Sequence, residues 1–309
     1  MKNTDSFCND LFESKKLYKI INDLIFPIGE SEIEKVYNVF KDEFEKGWNV
    51  SNEKLIFYDD FKEKLEKNFC IQPFPNANFW GIDFPTWINW QKNKNTKRIM
   101  IVGIDPLRNY KTDIEINKKR LVLGTPYGFQ IKKMQTEKNK YWKFLNCLPE
   151  STSIYLTDTF KLYFNNAPEN ANNKIIEKER SYNQRLFTNP HFENNELDIH
   201  QEIFYQECQL VKPDLIVTLG SIPKIWFSAG NNKSSFKQIG ESIKKCELLR
   251  YRQRDLEIPL LALPHLSGRV FNAKELLKPL SDLDIPEAYA EIVSKFLKNL
   301  SGKHIAQCD

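Results

Sequence analysis

Four short and almost entirely apolar runs constrain the fold of this chain more than any other feature. They are RIMIVG (98–103), SIYLTD (153–158), DLIVTLG (214–220) and IPLLALP (258–264). Helical patterning separates the first three at 138–148 and 199–211, and a closing helix is predicted over 285–300. Unbroken apolar strands alternating with helices are typical of a parallel sheet covered on both faces. The sequence therefore predicts an α/β fold, a three-layer α/β/α sandwich around a central four-stranded parallel sheet.

The residues before this region follow a different pattern. Residues 1–70 have helical periodicity, and a helix over 31–47 is predicted to begin with a capping box of Ser31 and Glu34. The segment 71–90 is rich in Pro, Trp and Phe, and we expect it to pack against the body of the protein. We therefore predict an N-terminal helical region with an aromatic connector over 1–90 and an α/β/α domain over 91–309. The Asn-rich segment 164–184 is interpreted as a partly mobile insertion.

Composition excludes several classes of protein. The net charge is only +4, so three basic clusters at 92–98, 117–120 and 244–254 are interpreted as solvated surface. No apolar run reaches the length of a signal core or a membrane span, which predicts a cytoplasmic protein without a membrane partner. The six cysteines are scattered without a Cys-x-x-Cys pair, which argues against disulfides, a zinc knuckle or an iron–sulfur cluster. Buried thiols are expected instead.

Polar residues follow each of the four apolar runs. In open α/β sheets the ligand crevice lies outside the carboxyl ends of the strands, so these residues should converge on one cleft. Each acid could instead cap the segment after it, and a single histidine is more often structural than catalytic. No second ligand stands at metal-binding spacing from the histidine, so a metal site is weakly supported. The residues are Asp105-Pro106, Asp158-Thr159, Gly220-Ser221 and Pro264 to Gly268.

Five segments in this order resemble the signature segments of the uracil-DNA glycosylase superfamily. They are IVGIDP, YGFQ, YLTDTFK, PDLIVTLG and LPHLSGR, and the resemblance spans residues 98–270. It implies a cofactor-free enzyme, expected to be a monomer, whose partner is DNA. Such an enzyme flips a nucleotide out of the duplex and hydrolyses the bond between base and sugar.

The resemblance also implies a role for individual residues. Asp105 would orient the attacking water and face the sugar as it becomes cationic, while His265 would donate a hydrogen bond to the base. Phe129 would stack on the flipped base, Asp158 would read its pairing edge, and Ile104 and Leu107 would line the base pocket. A carboxyl on one side and a donor on the other stabilise both ends of the separating charge. The DNA backbone would be contacted by Ser221, Ser267, Gly268 and Arg269, and the vacated stack filled by Arg269, Val270 or Phe271.

Two departures from the family pattern suggest the base. The uracil-specific members have an asparagine at the position of Asp158, and an ionised carboxylate, which only accepts hydrogen bonds, suits the amino group of cytosine. Leu107 stands where those members have a tyrosine beside the C5 position, which leaves room for a substituent. Together they predict a cytosine-type base modified at C5. Uracil remains the alternative, because a protonated Asp158 could again read it and the loop alignment is open.

Two other classes of function compete with the glycosylase. An inactive DNA-binding module on the same fold would not need Asp105 and His265 together, and the chain has both. A hydrolase or phosphatase with Asp105 as nucleophile would usually need a second nearby acid for Mg²⁺, and the sequence DPLRN offers none.

Overall fold

A computed structural model of the chain describes residues 14–24, 29–45, 57–58, 79–83, 85–89, 96–103, 121–124, 139–159, 162–165, 194–220, 249–266 and 283–301. The helices in this part of the chain are α1 (Ser14–Leu24), α2 (Glu30–Glu45), α3 (Lys140–Cys147), α4 (Asn194–Val211) and α5 (Ile285–Ser301). The strands before residue 125 are β1 (Phe57–Tyr58), β2 (Phe79–Asp83), β3 (Thr86–Ile88), β4 (Lys97–Gly103) and β5 (Leu121–Gly124). Those after it are β6 (Thr152–Asp158), β7 (Leu162–Asn165), β8 (Leu215–Leu219), β9 (Leu249–Gln253) and β10 (Leu256–Leu263).

The main sheet has the strand order β3-β6-β4-β8-β10-β9. Its four central strands are parallel and correspond to the four apolar runs, so the predicted parallel core and the α/β class are confirmed. Ile99, Met100 and Val102 on β4 are completely buried, as are Ile216 and Val217 on β8. Because these strands are covered on both faces, polar alternation is absent from them.

Two antiparallel edge strands extend the predicted sheet from four strands to six. Strand β3 comes from the aromatic segment 71–90 and pairs with β6, so this part of the segment packs against the body as expected. Strand β9 comes from the basic cluster 244–254 and pairs with β10. Arg252 on β9 stands opposite Glu257 on β10, with 3.3 Å between Arg252 Nε and Glu257 Oε2. Charged residues suit an edge strand because they hinder its pairing with other chains, so a basic sequence is compatible with a strand at this position.

A second sheet, with the order β1-β5-β2-β7, was not predicted. Strand β2 pairs in parallel with β5 and antiparallel with β7. Strands β1 and β2 precede residue 90, whereas β5 and β7 follow it, so both sides of the predicted domain boundary contribute to this sheet. The boundary itself stays a prediction, and most of the Asn-rich segment 164–184 lies outside the described residues.

The helices pack as two groups. Helix α3 contacts α5, where the Phe144 and Tyr289 rings meet edge to face, and α1 contacts both α2 and α4. Two crossovers run in opposite directions across the sheet. One leads from β4 through α3 to β6, and the other leads from β6 through α4 to β8. Because such crossovers are right-handed, α3 and α4 cover opposite faces, which is the predicted α/β/α arrangement.

The helix starts differ from the prediction. Helix α2 begins at Glu30, and the carbonyl of Gly29 accepts from the backbone N–H of Glu32 and Ile33 at 3.0 and 3.1 Å. The predicted capping box at Ser31 is therefore wrong, because Ser31 already lies inside the helix. Gly29 has a φ of 101°, a conformation that favours glycine. A reciprocal capping box occurs instead at α5, where Asp284 and Glu287 accept each other's backbone N–H at 3.1 Å.

The cysteine prediction is right for one of the two described cysteines. Cys208 on α4 is buried with its Sγ 3.8 Å from the Sδ of Met100, as expected for a thiol used as a small apolar group. Cys147, at the end of α3, is exposed.

Candidate active site

The carboxyl ends of the four parallel strands lie along one edge of the main sheet. Gly103 at the end of β4 is in register with Asp158 at the end of β6. The N–H of Gly220, just after β8, donates to the carbonyl of Leu263 at the end of β10 over 2.8 Å. Gly220 has a φ of 112°, so a glycine suits the turn by which the chain leaves this edge. The segments predicted to form the cleft therefore all start from one edge.

Asp158 is the last residue of β6 and is completely buried. Its backbone N–H donates to Oδ2 of Asp83 over 2.9 Å. The next residue, Thr159, donates from both its N–H and its hydroxyl to the carbonyl of Gly103, at 3.0 and 2.8 Å. The element that follows is the strand β7, so Asp158 does not cap a helix over these residues, as one interpretation of the sequence allowed.

His265 lies two residues beyond β10 and is partly buried. Burial lowers the pKa of its imidazole below the usual value of 6.5, so the ring is neutral at pH 7. A neutral imidazole has one N–H to donate and one bare nitrogen that accepts. This state is suited to donating a hydrogen bond without adding a buried positive charge.

Tyr141 holds His265 from helix α3 and was not identified from the sequence. Its hydroxyl oxygen lies 3.0 Å from Nε2 of His265, and the two rings meet edge to face with 5.8 Å between their centroids. Asn139 caps α3, because its side-chain oxygen accepts from the N–H of Tyr141 at 3.0 Å and of Trp142 at 3.3 Å. Asparagine before a helical pattern is a cap signal, but nothing in the sequence connects Tyr141 to a histidine 124 positions away.

Asp158 and His265 lie near the carboxyl ends of two strands of the main sheet that are not neighbours. Strands β6 and β10 are three positions apart in the sheet, with β4 and β8 between them. Strand spacings of about 4.8 Å place the two strand ends about 14 Å apart. Strands β4 and β8 end within this interval, so the segments that lead to Asp105 and to Ser221 start between the two described residues.

Most of the predicted site residues lie outside the described residues, and their roles stay predictions. The group comprises the predicted water-orienting acid, the stacking aromatic, the pocket-lining residues, and the residues assigned to the DNA backbone and to the vacated stack. They are Ile104, Asp105, Leu107, Phe129, Ser221, Ser267, Gly268, Arg269, Val270 and Phe271.

Two further properties concern the described part of the chain only. Within it, no group of three or more His, Cys, Asp or Glu side chains is arranged to hold a metal ion. None of the helices described is both long enough and apolar enough to cross a membrane.

Comparison with known families agrees with the geometry. The model of the uracil DNA glycosylase superfamily matches residues 91–291 of the 309 in the chain. No curated protein matches the chain. The matched region contains the four parallel strands, Tyr141, Asp158 and His265, whereas Asp83 precedes it.

Proposed function

The chain belongs to the uracil DNA glycosylase superfamily, and from this premise we propose the reaction and the base for this DNA glycosylase. The proposed enzyme is monofunctional: it flips one nucleotide out of DNA and hydrolyses the N-glycosidic bond to leave an abasic site, without a metal ion. The proposed substrate is a cytosine-type base modified at C5, such as hydroxymethylated or glucosylated cytosine. Excision of a modified base carried by phage DNA would make the protein an anti-phage defence enzyme.

The observation that carries the choice of base is the position of Asp158. It is an acid at the carboxyl end of β6 and is completely buried. By the resemblance, it corresponds to the position that reads the base's pairing edge in the family. An ionised carboxylate there accepts from the N4 amino group of cytosine and meets the O4 of uracil without a donor. A buried polar group left without its partner can discriminate strongly between two bases.

His265 supports the proposed chemistry of bond cleavage. As the bond between base and sugar breaks, negative charge develops on the base and positive charge on the sugar. A neutral imidazole N–H directed at the base oxygen stabilises the departing base. We assign the opposite role, facing the cationic sugar and orienting water, to Asp105.

The C5 substituent is proposed from Leu107 and from the consequence of excising plain cytosine. A leucine leaves more room beside C5 than the tyrosine of the uracil-specific members. An enzyme that removed unmodified cytosine would damage the DNA of its own cell. A foreign modified base avoids this problem.

A cleavage assay tests the proposal. Labelled oligonucleotides carrying uracil, cytosine, 5-hydroxymethylcytosine or its glucosylated form are incubated with the protein in EDTA, and hot alkali reveals abasic sites. We expect cleavage at a modified cytosine, lost in Asp105→Asn and in His265→Ala. Asp158→Asn should shift the preference toward uracil, because an amide offers both a donor and an acceptor.

The other outcomes separate the alternatives. Cleavage at uracil alone by the unmodified protein would overturn the choice of base and indicate a uracil-DNA glycosylase of base-excision repair. DNA binding without cleavage of any substrate would indicate an inactive binding module. Cleavage that appears only when the EDTA is replaced by Mg²⁺ would indicate a metal-dependent reaction.

A further inference from the structure

The hydrogen bonds around Asp158 lead to a residue outside the region that matches the family. Asp83 is the last residue of β2 and is completely buried. Its Oδ2 accepts from the backbone N–H of Asp158 and from the hydroxyl of Thr157, each over 2.9 Å. One carboxyl oxygen of the second sheet therefore holds two consecutive residues at the end of β6.

The sheet pairing explains why this contact is needed. Strand β3 pairs with β6 only as far as Thr86 opposite Leu156, which is two residues short of Asp158. A buried N–H needs an acceptor, and leaving one unsatisfied costs free energy. The Asp83 side chain supplies the acceptor that an adjacent strand would otherwise supply. It thereby fixes the last residue of β6 beyond the end of β3.

We propose that Asp83 is a positioning residue for base selection, which acts by holding the backbone of Asp158 in the orientation that reads the base. This inference rests on the proposed function. It also assigns a role to β2, which precedes residue 91: this strand carries the side chain that holds the residue proposed to read the base. Asp83 is not proposed to touch the substrate.

Glu207 on α4 offers a matched control. Its Oε1 lies 3.0 Å from the hydroxyl of Thr157 and accepts from the hydroxyl of Tyr155, also over 3.0 Å. Glu207 is therefore a buried acid that reaches the same threonine as Asp83. The hydrogen bond that Asp158 donates from its backbone goes to Asp83. Replacing Glu207 by glutamine disturbs the same buried cluster from the other side.

The experiment compares Asp83→Ala, Asp83→Asn and Glu207→Gln in the full chain. Single-turnover excision is measured on the modified-cytosine and uracil oligonucleotides, so that the rate on each base gives a preference ratio. Asp83→Ala should lower the rate on the preferred base about tenfold or more and bring the ratio toward one, because Asp158 loses its fixed orientation. Asp83→Asn keeps an acceptor oxygen and should retain the ratio. Glu207→Gln should retain the ratio even if it lowers thermal stability.

Two results would overturn the inference while the proposed function stands. One is an unchanged preference ratio in Asp83→Ala. The other is an equal loss of preference in Glu207→Gln, which would show a general response to disturbing the buried cluster. If the unmodified protein cleaves no oligonucleotide, the proposed function fails and the selection role of Asp83 fails with it.

Amide hydrogen exchange tests the contact itself without relying on activity or on the stability of a variant. In the unmodified protein the N–H of Asp158 should exchange slowly, because it is buried and bonded to Asp83. Exchange as fast as that of exposed amides would overturn the contact. In Asp83→Ala, measured below its melting temperature, the Asp158 amide should lose protection while that of Ile154 keeps it. Equal loss at both residues would show general destabilisation and overturn the local role.

Discussion

At the scale of single residues, the neutral state of His265 has a measurable consequence for stability. Burial holds the pKa of its imidazole below 6.5 in the folded protein. The unfolded chain therefore binds more protons than the folded chain as the pH falls below about 6.5. The contribution of His265 is fully present above this pH and is lost as the pH falls toward the lowered folded value.

We predict that His265→Gln flattens the acid side of the stability profile. Urea midpoints measured between pH 7.5 and 5.5 should fall with decreasing pH in the unmodified protein and fall less in the variant. This window lies above the range in which most carboxyls titrate, so their contribution is small. Equal slopes in the two proteins would contradict the burial of a neutral His265.

At the scale of elements, the first turn of α3 connects a helix cap to the site. Asn139 caps the helix, and Tyr141 in the same turn holds His265. We predict that Asn139→Ala lowers the free energy of unfolding by about 1 kcal/mol. The same change should reduce excision, because the cap fixes the turn that carries Tyr141.

Tyr141→Phe should reduce excision about five- to tenfold with little loss of stability, since only one hydrogen bond is removed.

Asp284→Ala is the matched control for the loss of a helix cap. Asp284 caps α5, which packs against α3. Lys143 pairs with Asp284 at 2.6 Å and with Glu287 at 2.9 Å, so we expect the second ion pair to remain in the variant. Stability should fall by a similar amount, about 1 kcal/mol, while excision is retained. Thermal unfolding and single-turnover rates measured together distinguish the two caps. A loss of excision in Asp284→Ala equal to that in Asn139→Ala would show that general destabilisation, and not the position of Tyr141, limits the reaction.

At the scale of the whole molecule, a groove with basic side chains lies at the edge opposite the candidate site. It is lined by Lys16, Lys19, Arg98, Lys212 and Arg254, together with the acids Asp23 and Glu202. Arg98 is the second residue of β4, at its amino end, whereas Gly103 is the last residue, at its carboxyl end. At about 3.3 Å per residue the groove is about 15 to 20 Å from the carboxyl edge. Lys19 pairs with Asp23 and Arg254 with Glu202, and these ion pairs reduce the positive charge of the groove.

We predict that charge reversal in this groove leaves excision intact. Lys212→Glu should keep the excision rate and the apparent DNA affinity within about twofold, whereas Arg269→Glu should weaken binding about tenfold and reduce its dependence on salt. The measurement is a salt series of DNA-binding titrations with each variant. An effect of Lys212→Glu as large as that of Arg269→Glu would show that DNA also contacts the amino edge of the sheet.

The parallel core could be predicted because its physical signal is local. Strands buried on both faces are continuous apolar runs, and four such runs separated by helices leave few alternatives. The second sheet could not be predicted in the same way. Strands β5 and β7 have only four residues each, and β2 lies among aromatic residues that suit several structures. Strand β9 was missed because its alternating arginines indicate solvated surface until Glu257 is known to stand opposite them.

By itself, the sequence determined the parallel four-stranded core, the edge of the sheet proposed for the ligand, and the residue types that follow each strand there. A strand that is buried on both faces is visible as an apolar run in its own residues. The five segments that resemble the family also occur along this chain in the family's order. Only the tertiary structure decided which side chains hold those residues in place. Tyr141 reaches His265 across 124 positions, and Asp83 reaches Asp158 across 75. Such contacts depend on how separate helices and sheets pack, and no local pattern records which buried donor will meet which acceptor.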